Sequence, residues 1–152
     1  MQKKGIEYLF ELQRKDTASI HYGFIQQNLG YFHLITEDYD SAIYYLKPLV
    51  WRTDSIDITL AYVHNNLARA FLELNRIDSA MLHIEYSLEI DSLNGAAFYN
   101  RAFIHMAKKD TLSACHDLSQ SKKLGYEAHG KNKSIEEVIA DYCEGFTVFI
   151  KF

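Results

Sequence analysis

The chain has 152 residues, of which 48% are hydrophobic and 24% charged, and its formal net charge at pH 7 is −4. These totals fit one globular domain with a core of its own. The scattered acidic residues exclude a basic footprint for nucleic acid, and no apolar run approaches the ~18–20 residues of a membrane span. A single Pro and 7 Gly, beside 11 Tyr and 9 Phe, favour helices over a turn-rich β fold.

The first predicted element is a helix at residues 4–16. Acidic residues at Glu7 and Glu11 interrupt its apolar pattern, which indicates a helix rather than a signal peptide. Its apolar residues align with those of a later helix: Ile6 with Ile43, Leu9 with Leu46, and Leu12 with Leu49. We therefore interpret this element as the second helix of a repeat whose first helix is absent, which leaves an N-terminal face to be covered.

Three segments that follow repeat one pattern. They read NLGYFHLITEDYDSA from Asn28, NLARAFLELNRIDSA from Asn66 and NRAFIHMAKKDTLSA from Asn100, so their offsets are 38 and 34 residues. The apolar spacing in each copy is helical, and a polar turn divides the copy into two helices. Each copy has a small residue two after its Asn, as expected where antiparallel helices cross closely.

The repeats predict a single domain over residues 1–152. Its expected parts are a half-repeat helix at 4–16, repeats at 18–52, 56–91 and 94–125, a capping helix at 134–144 and a tail at 146–152. Pro48 falls inside the second helix of the first repeat, where it removes one backbone hydrogen bond and should kink the helix.

The C-terminal segment is predicted to close the array. Ser134 and Glu137 fit a capping box at a helix start, and Gly145 can end that helix. The apolar residues expected on one face of this helix are Ile135, Val138, Ile139 and Tyr142. The last residues, FTVFIKF, are apolar and strand-like, so they would fold back onto the array or pair with another chain.

The repeated pattern resembles the tetratricopeptide repeat, a motif of about 34 residues in two helices. The resemblance covers the chain up to about Gly125, and it rests on Leu29-Gly30, Leu67-Ala68, Tyr39 and the alanines at 42, 80 and 114. It implies an all-α fold, a right-handed α-solenoid of about three repeats with an N-terminal half-repeat and a C-terminal capping helix. The chain departs from the motif at His33 and His105, where the family usually has an aromatic residue.

The end of the array, ACHDLSQSKKLGYEA with a later DYC, is similar to the last repeat of many bacterial tetratricopeptide proteins. This similarity suggests a bacterial source and a periplasmic or envelope location for a longer protein. As written, without a signal peptide, the chain would be cytoplasmic.

The resemblance also implies a binding function, because the first helices of such repeats line a concave groove for an extended peptide or a partner's helix. Helical spacing of three to four places Ile35, Glu73 and Ala96 along this groove. The residues predicted to bind the peptide or partner are Phe24, Gln27, Asn28, Tyr31, Tyr62, Asn65, Asn66, Arg69, Tyr99, Asn100 and Phe103.

Asparagines stand at the head of all three copies. An Asn amide offers a donor and an acceptor together, so a row of them could hold a peptide backbone without reading its sequence. The aromatic residues beside them would form pockets for apolar side chains. Alternatively, the asparagines bridge adjacent helices or bond only to solvent.

One specific ligand is disfavoured. Cochaperones of this family grip the acidic C-terminal tails of heat-shock chaperones with a clamp of Lys, Asn and Arg. The matching positions here are Gln27, Tyr31, Asn66, Ala96 and Asn100, of which only Asn66 fits. Arg69 is the lone cation in the predicted groove, so we do not predict a free carboxylate as the main determinant of binding.

No enzymatic motif is present: the sequence has no Gly-rich phosphate loop, no nucleophile elbow and no paired-carboxylate signature. We therefore predict a non-enzymatic chain without cofactor or metal. Buried thiols are the default expectation for Cys115 and Cys143, and a disulfide is the alternative in an oxidising compartment. A metal site with His116 and His129 would fit no recognised ligand spacing.

The leading hypothesis is a protein–protein interaction module with a protein or peptide partner and no membrane insertion. The second is a structural module that self-associates through its N-terminal face or C-terminal tail, or docks to the rest of a larger multi-repeat protein. A narrower alternative is a bacterial immunity or adaptor protein that blocks a toxin through the same surface.

Overall fold

The computed structural model describes residues 7–12, 22–51, 58–128 and 133–144. Residues 7–12 are helical. The helices that follow are α1 (Tyr22–Ile35), α2 (Tyr39–Leu46), a 3₁₀ helix (Lys47–Trp51), α3 (Ile58–Glu73), α4 (Ile77–Ile90), α5 (Gly95–Ala107), α6 (Thr111–Lys123) and α7 (Ile135–Cys143). Each of the three pairs packs on the next, and α7 packs on the last pair. The predicted all-α solenoid of helix-turn-helix repeats is confirmed.

The turn inside each pair has the same conformation. Its middle residue has a positive φ in every repeat, at Glu37, Asn75 and Lys109. This left-handed residue reverses the chain, and the amide after it bonds back to a carbonyl five residues earlier in the helix. The carboxylates of Asp38 and Asp110 then cap the next helix by accepting from a Ser amide three residues on. The repeat therefore extends to the backbone of its turns.

The small residues stand at the closest helix crossings. A Cβ added to Gly30 would lie 2.4 Å from Cγ of Leu46, so α1 and α2 could not approach as they do with a larger residue there. The equivalent Ala68 and Ala102 are fully buried. Around these close crossings, buried leucines and isoleucines of neighbouring helices form the shared core of the array.

The second helix of the first repeat changes form near Pro48. The α-helix ends at Leu46 and the chain continues as the 3₁₀ helix. Proline lacks the amide hydrogen that an α-helix needs at this position, and the expected loss of regular α-helix takes the form of a 3₁₀ helix.

The cap agrees with the sequence in most respects. Ser134 and Glu137 form the capping box, and Ile135 and Val138 are buried against the last repeat. Tyr142, expected on the buried face, is instead 52% exposed, and Cys143 takes the buried position. Cys143 is bonded to Cys115 of α6, so the end of α7 presents Cys143 rather than Tyr142 to the last repeat.

The cysteines form a disulfide between Cys115 in α6 and Cys143 in α7, with Cα atoms 5.8 Å apart. The default expectation of two buried thiols is therefore wrong, and the alternative is observed. Packing of the cap on the last repeat brings the cysteines together across a separation of 28 residues.

Several predictions lie outside the described residues. They concern the ends of the 4–16 helix, Gly145 and the tail at 146–152. The proposal of self-association through the N-terminal face or the tail depends on these segments and stays a prediction. In the part of the chain that the structure does describe, no helix is long and apolar enough to cross a membrane.

Candidate functional site

A cavity of about 850 Å³ runs along the face formed by the first helices of the three repeats. Helices α1, α3 and α5 each contribute side chains at helical spacing, because residues three or four apart share one face. Eight of the eleven predicted binding residues line this cavity, which we call the groove: Gln27, Asn28, Tyr31, Tyr62, Asn65, Asn66, Arg69 and Asn100. The stripe residues Ile35, Glu73 and Ala96 line it as well.

The other three predicted residues lie elsewhere. Tyr99 and Phe103 line a second cavity beyond Asn100. Phe24 lines neither cavity, and its side chain is 65% exposed. It lies one turn before Asn28, near the start of α1, where its backbone carbonyl accepts a hydrogen bond from the Asn28 amide.

The groove has one wall that helical spacing could not predict. Tyr126 follows α6, after the chain reverses at Gly125 with φ of +70°. Its Cβ would lie 2.8 Å from a Cβ placed on Gly95, so the bare backbone at the start of α5 makes room for it. The residues Leu34, Glu37 and Tyr39 also line the groove without having been predicted.

The asparagines of the groove differ in their bonding. Asn100 donates through Nδ2 to Oδ1 of Asn65 at 2.8 Å, which bridges α5 and α3. Asn28 donates to its own helix at 2.7 Å. The half-buried amide of Asn66 makes no hydrogen bond to another residue of the described ranges, so it keeps both its donor and its acceptor for a ligand. The helix-bridging alternative thus holds for one pair, while Asn66 suits contact with a peptide.

The charge at the centre of the groove comes from Arg69. Its guanidinium is half-buried and forms no ion pair with any carboxylate of the described residues. Burial raises the pKa of Tyr126 and of Tyr99, and the positive charge of Arg69 opposes that rise in both. Both phenols therefore stay neutral at physiological pH and present a hydroxyl and an apolar ring.

The second cavity has a volume of about 320 Å³ and lies where α7 covers the last repeat. Leu72 of α3, Phe103 of α5 and Val138 of α7 provide apolar walls. The rings of Tyr99 and Phe103 are 5.0 Å apart, edge to face. The Tyr99 hydroxyl donates to the carbonyl of Lys133 at 3.0 Å, which fixes the ring between α5 and the start of the cap.

The histidines and carboxylates serve other purposes. His33 stacks on Tyr45 and bonds to the N-cap Asp38 at 3.1 Å, so packing and capping account for its departure from the motif. His105 lies 3.6 Å from the buried Asp117, which binds Arg101. Among the residues that the structure describes, no three His, Cys, Asp or Glu side chains are grouped to hold a metal ion.

No family model matches the sequence, and no curated protein matches it. Solved structures do resemble the fold. The first tetratricopeptide domain of human RPAP3 superposes with a TM-score of 0.68 at 15% identity, over 84% of this chain and 94% of that domain.

Two further structures show the same resemblance. The first tetratricopeptide domain of Spaghetti (RPAP3), bound to the HSP90 peptide SRMEEVD, has a TM-score of 0.67 at 15% identity, over 85% of this chain and 99% of that one. A chain of the APC/C hetero-tetramer Cut9–Hcn1 has a TM-score of 0.73 at 20% identity, over 95% of this chain and 28% of its own length. At these identities the similarities show the fold, which is that of tetratricopeptide repeats.

Proposed function

We propose that the chain is a protein-interaction module that binds an extended peptide or partner segment in the groove. The observation that carries the proposal is the half-buried amide of Asn66, which faces the groove with its donor and acceptor unused by the described residues. A peptide unit also has one donor and one acceptor, so a paired contact satisfies both.

The groove walls support the same function. Tyr31 and Tyr62 are about half exposed along the groove, at 50% and 46%, and can cover apolar side chains of a ligand. Such half-exposed aromatic surface gives contact area at a small entropic cost. We therefore propose binding rather than catalysis as the role of this face.

The comparison with a peptide complex supports peptide binding by this fold, but not the same class of peptide for this chain. The Spaghetti domain is described as bound to an HSP90 peptide, which shows that a chain of this fold can accommodate a peptide. Of the five positions that would clamp a terminal carboxylate, only Asn66 fits, and the Lys and Arg charges of the clamp are absent from Gln27, Tyr31, Ala96 and Asn100. We therefore propose that this groove binds a different class of peptide. A bacterial source is a separate proposal, which only the sequence of the last repeat supports.

Replacing Asn66 with Ala tests the function. Peptides would first be selected on the immobilised full chain from a random displayed library, and their dissociation constants measured by fluorescence anisotropy. We expect Asn66→Ala to weaken binding of the selected peptides about tenfold, because two backbone hydrogen bonds are lost. The circular dichroism spectrum and the unfolding midpoint should stay close to those of the wild type.

The matched control is Glu89→Ala, at an exposed residue of α4 outside both cavities, which should leave affinity unchanged. Failure of the library to yield any binder, or equal affinity for the wild type and Asn66→Ala, contradicts the proposed function. Asn100→Ala is a poorer test, because it would leave the buried amide of Asn65 without its partner and lower stability.

A further inference from the structure

The second cavity is suited to a single large side chain. Its volume of about 320 Å³ lies at the small end of the range of roughly 300–1,000 Å³ for ligand pockets. Leu72, Phe103 and Val138 give it apolar walls. Because the hydroxyl of Tyr99 is bonded to the carbonyl of Lys133, that ring adds an apolar face with its polar end satisfied.

Arg69 stands where the two cavities meet, since it lines both. Its half-buried guanidinium has no ion pair within the described ranges. Two other charged residues line the second cavity, and both should affect the charge of a bound ligand less than Arg69 does. Glu73 is exposed, so water and salt screen its charge, and Lys133 is already paired with Asp141. A half-buried, unpaired guanidinium favours a carboxylate, which can accept two parallel hydrogen bonds from it.

The ligand must also continue on both sides of Arg69. The groove runs toward α1 on one side, and the second cavity opens toward α7 on the other. A peptide held across both cavities therefore passes Arg69 in the middle of its length. A side-chain carboxylate meets this geometry, whereas a terminal carboxylate would end the peptide there.

We propose that the partner segment carries a large apolar side chain, aromatic or leucine-like, next to an internal Asp or Glu. The apolar side chain enters the second cavity, and the acidic side chain binds Arg69. This inference rests on the proposed function of the groove and adds what its ligand must contain.

The test is a selection from a random twelve-residue displayed library on the wild-type chain and on two variants. The first variant, Arg69→Gln, removes the charge and keeps most of the length. The second, Tyr142→Ala, removes an exposed ring from the mouth of the second cavity without disturbing the buried face of α7. Peptides from the wild-type selection should be enriched in an acidic residue beside a large apolar one.

Solution affinities then separate the two contacts. We expect Arg69→Gln to weaken binding of the consensus peptide about tenfold. It should have little effect on binding of the same peptide with its Asp or Glu changed to Asn or Gln. Tyr142→Ala should weaken binding of the consensus peptide several-fold. It should not change the affinity of the peptide that has Ala at the apolar position. Amidation of the peptide's C-terminus should not change binding.

The matched controls are Arg76→Gln, an exposed cation outside both cavities, and Tyr86→Ala, a ring 47% exposed on α4. The inference is overturned if enriched peptides lack the acidic–apolar pair, if Arg69→Gln weakens acidic and amide peptides equally, or if C-terminal amidation abolishes binding. If Asn66→Ala still weakens such peptides, the groove function survives and only this inference fails. If no peptide binds, both fail.

Discussion

Residues that are equivalent in the sequence have different roles in the structure. The asparagines at 28, 66 and 100 occupy one repeat position, yet Asn28 bonds to its own helix and Asn100 bonds to Asn65 on α3. Asn66, in the central repeat, makes no hydrogen bond to another residue of the described ranges, and we propose that it binds the ligand. Sequence spacing located the stripe, but it could not show which amides were already used, because that depends on the side chains facing each one across the helices.

A histidine pair inside the second repeat is expected to make stability depend on pH. Nδ1 of His64 and Nδ1 of His83 lie 2.9 Å apart, so one ring must donate and the other accept. Burial lowers the pKa of His64. Burial, followed by the charges of His64 and Lys47, lowers the pKa of His83 to about 4. Protonation of the accepting ring at Nδ1 would place two donors against each other.

We predict that the protein loses stability as pH falls from about 6.5 to 4. His83 binds a proton near pH 6.5 in the unfolded state but only near pH 4 in the folded state, so lowering the pH between these values shifts the equilibrium toward the unfolded state. We expect a loss of about 1–2 kcal/mol, since one pKa unit is worth ~1.4 kcal/mol and the ring is only partly buried. Urea unfolding from pH 7.5 to 4.5 measures it.

The comparison variant is His83→Asn, whose side-chain amide can donate or accept a hydrogen bond without titrating. Its unfolding free energy should depend less steeply on pH than that of the wild type. His116→Asn, which changes an exposed ring, should lose as much unfolding free energy as the wild type when the pH falls. Parallel pH profiles for the wild type and His83→Asn would show that this pair does not control stability.

At the scale of the elements, periodic features were predictable and non-periodic ones were not. The repeated turns, the crossing at Gly30 and the capping box at Ser134 follow from local residue types and were found from the sequence. The position of Tyr126 and the choice of disulfide over thiols depend on how the last repeat meets its cap. The ion pair of Arg101 with the buried Asp117 was also missed, because it depends on how the side chains of α5 and α6 face each other inside the last repeat.

The disulfide should contribute much of the stability of the cap. It joins residues 28 apart, for which loss of unfolded-chain entropy gives about 3–4 kcal/mol. We predict that a reductant lowers the free energy of unfolding of the wild type by about 2–4 kcal/mol. Chemical denaturation with and without the reductant measures this, because the folded chain differs by one covalent bond only.

The double variant Cys115→Ala with Cys143→Ala serves as the control, and its unfolding should not respond to the reductant. Two free thiols titrated in the denatured, unreduced protein would contradict the pairing. The helix α7 also forms a wall of the second cavity. Reduction of the disulfide should therefore weaken binding of peptides with a large apolar side chain more than binding of peptides with Ala at that position.

For the whole molecule, the proposed function depends on the arrangement of the repeats. Stacking brings α1, α3 and α5 side by side, so residues far apart in the chain share one groove. The cap closes the last repeat and adds a second cavity at the end of that groove. The fold alone gives no ligand. We propose that Asn66 and Arg69, which have no side-chain partner among the described residues, select the ligand together with the tyrosines of the groove.

The most direct test of this account is a map of the bound peptide by NMR, from the backbone amide shifts of the ¹⁵N-labelled chain as the selected peptide is added. The account predicts that the largest shifts fall on the groove-facing residues of α1, α3 and α5, with Asn66 and Arg69 among them. Residues on the outward faces of α4 and α6 should change little. Shifts concentrated on those outward faces, with the groove unaffected, would contradict it.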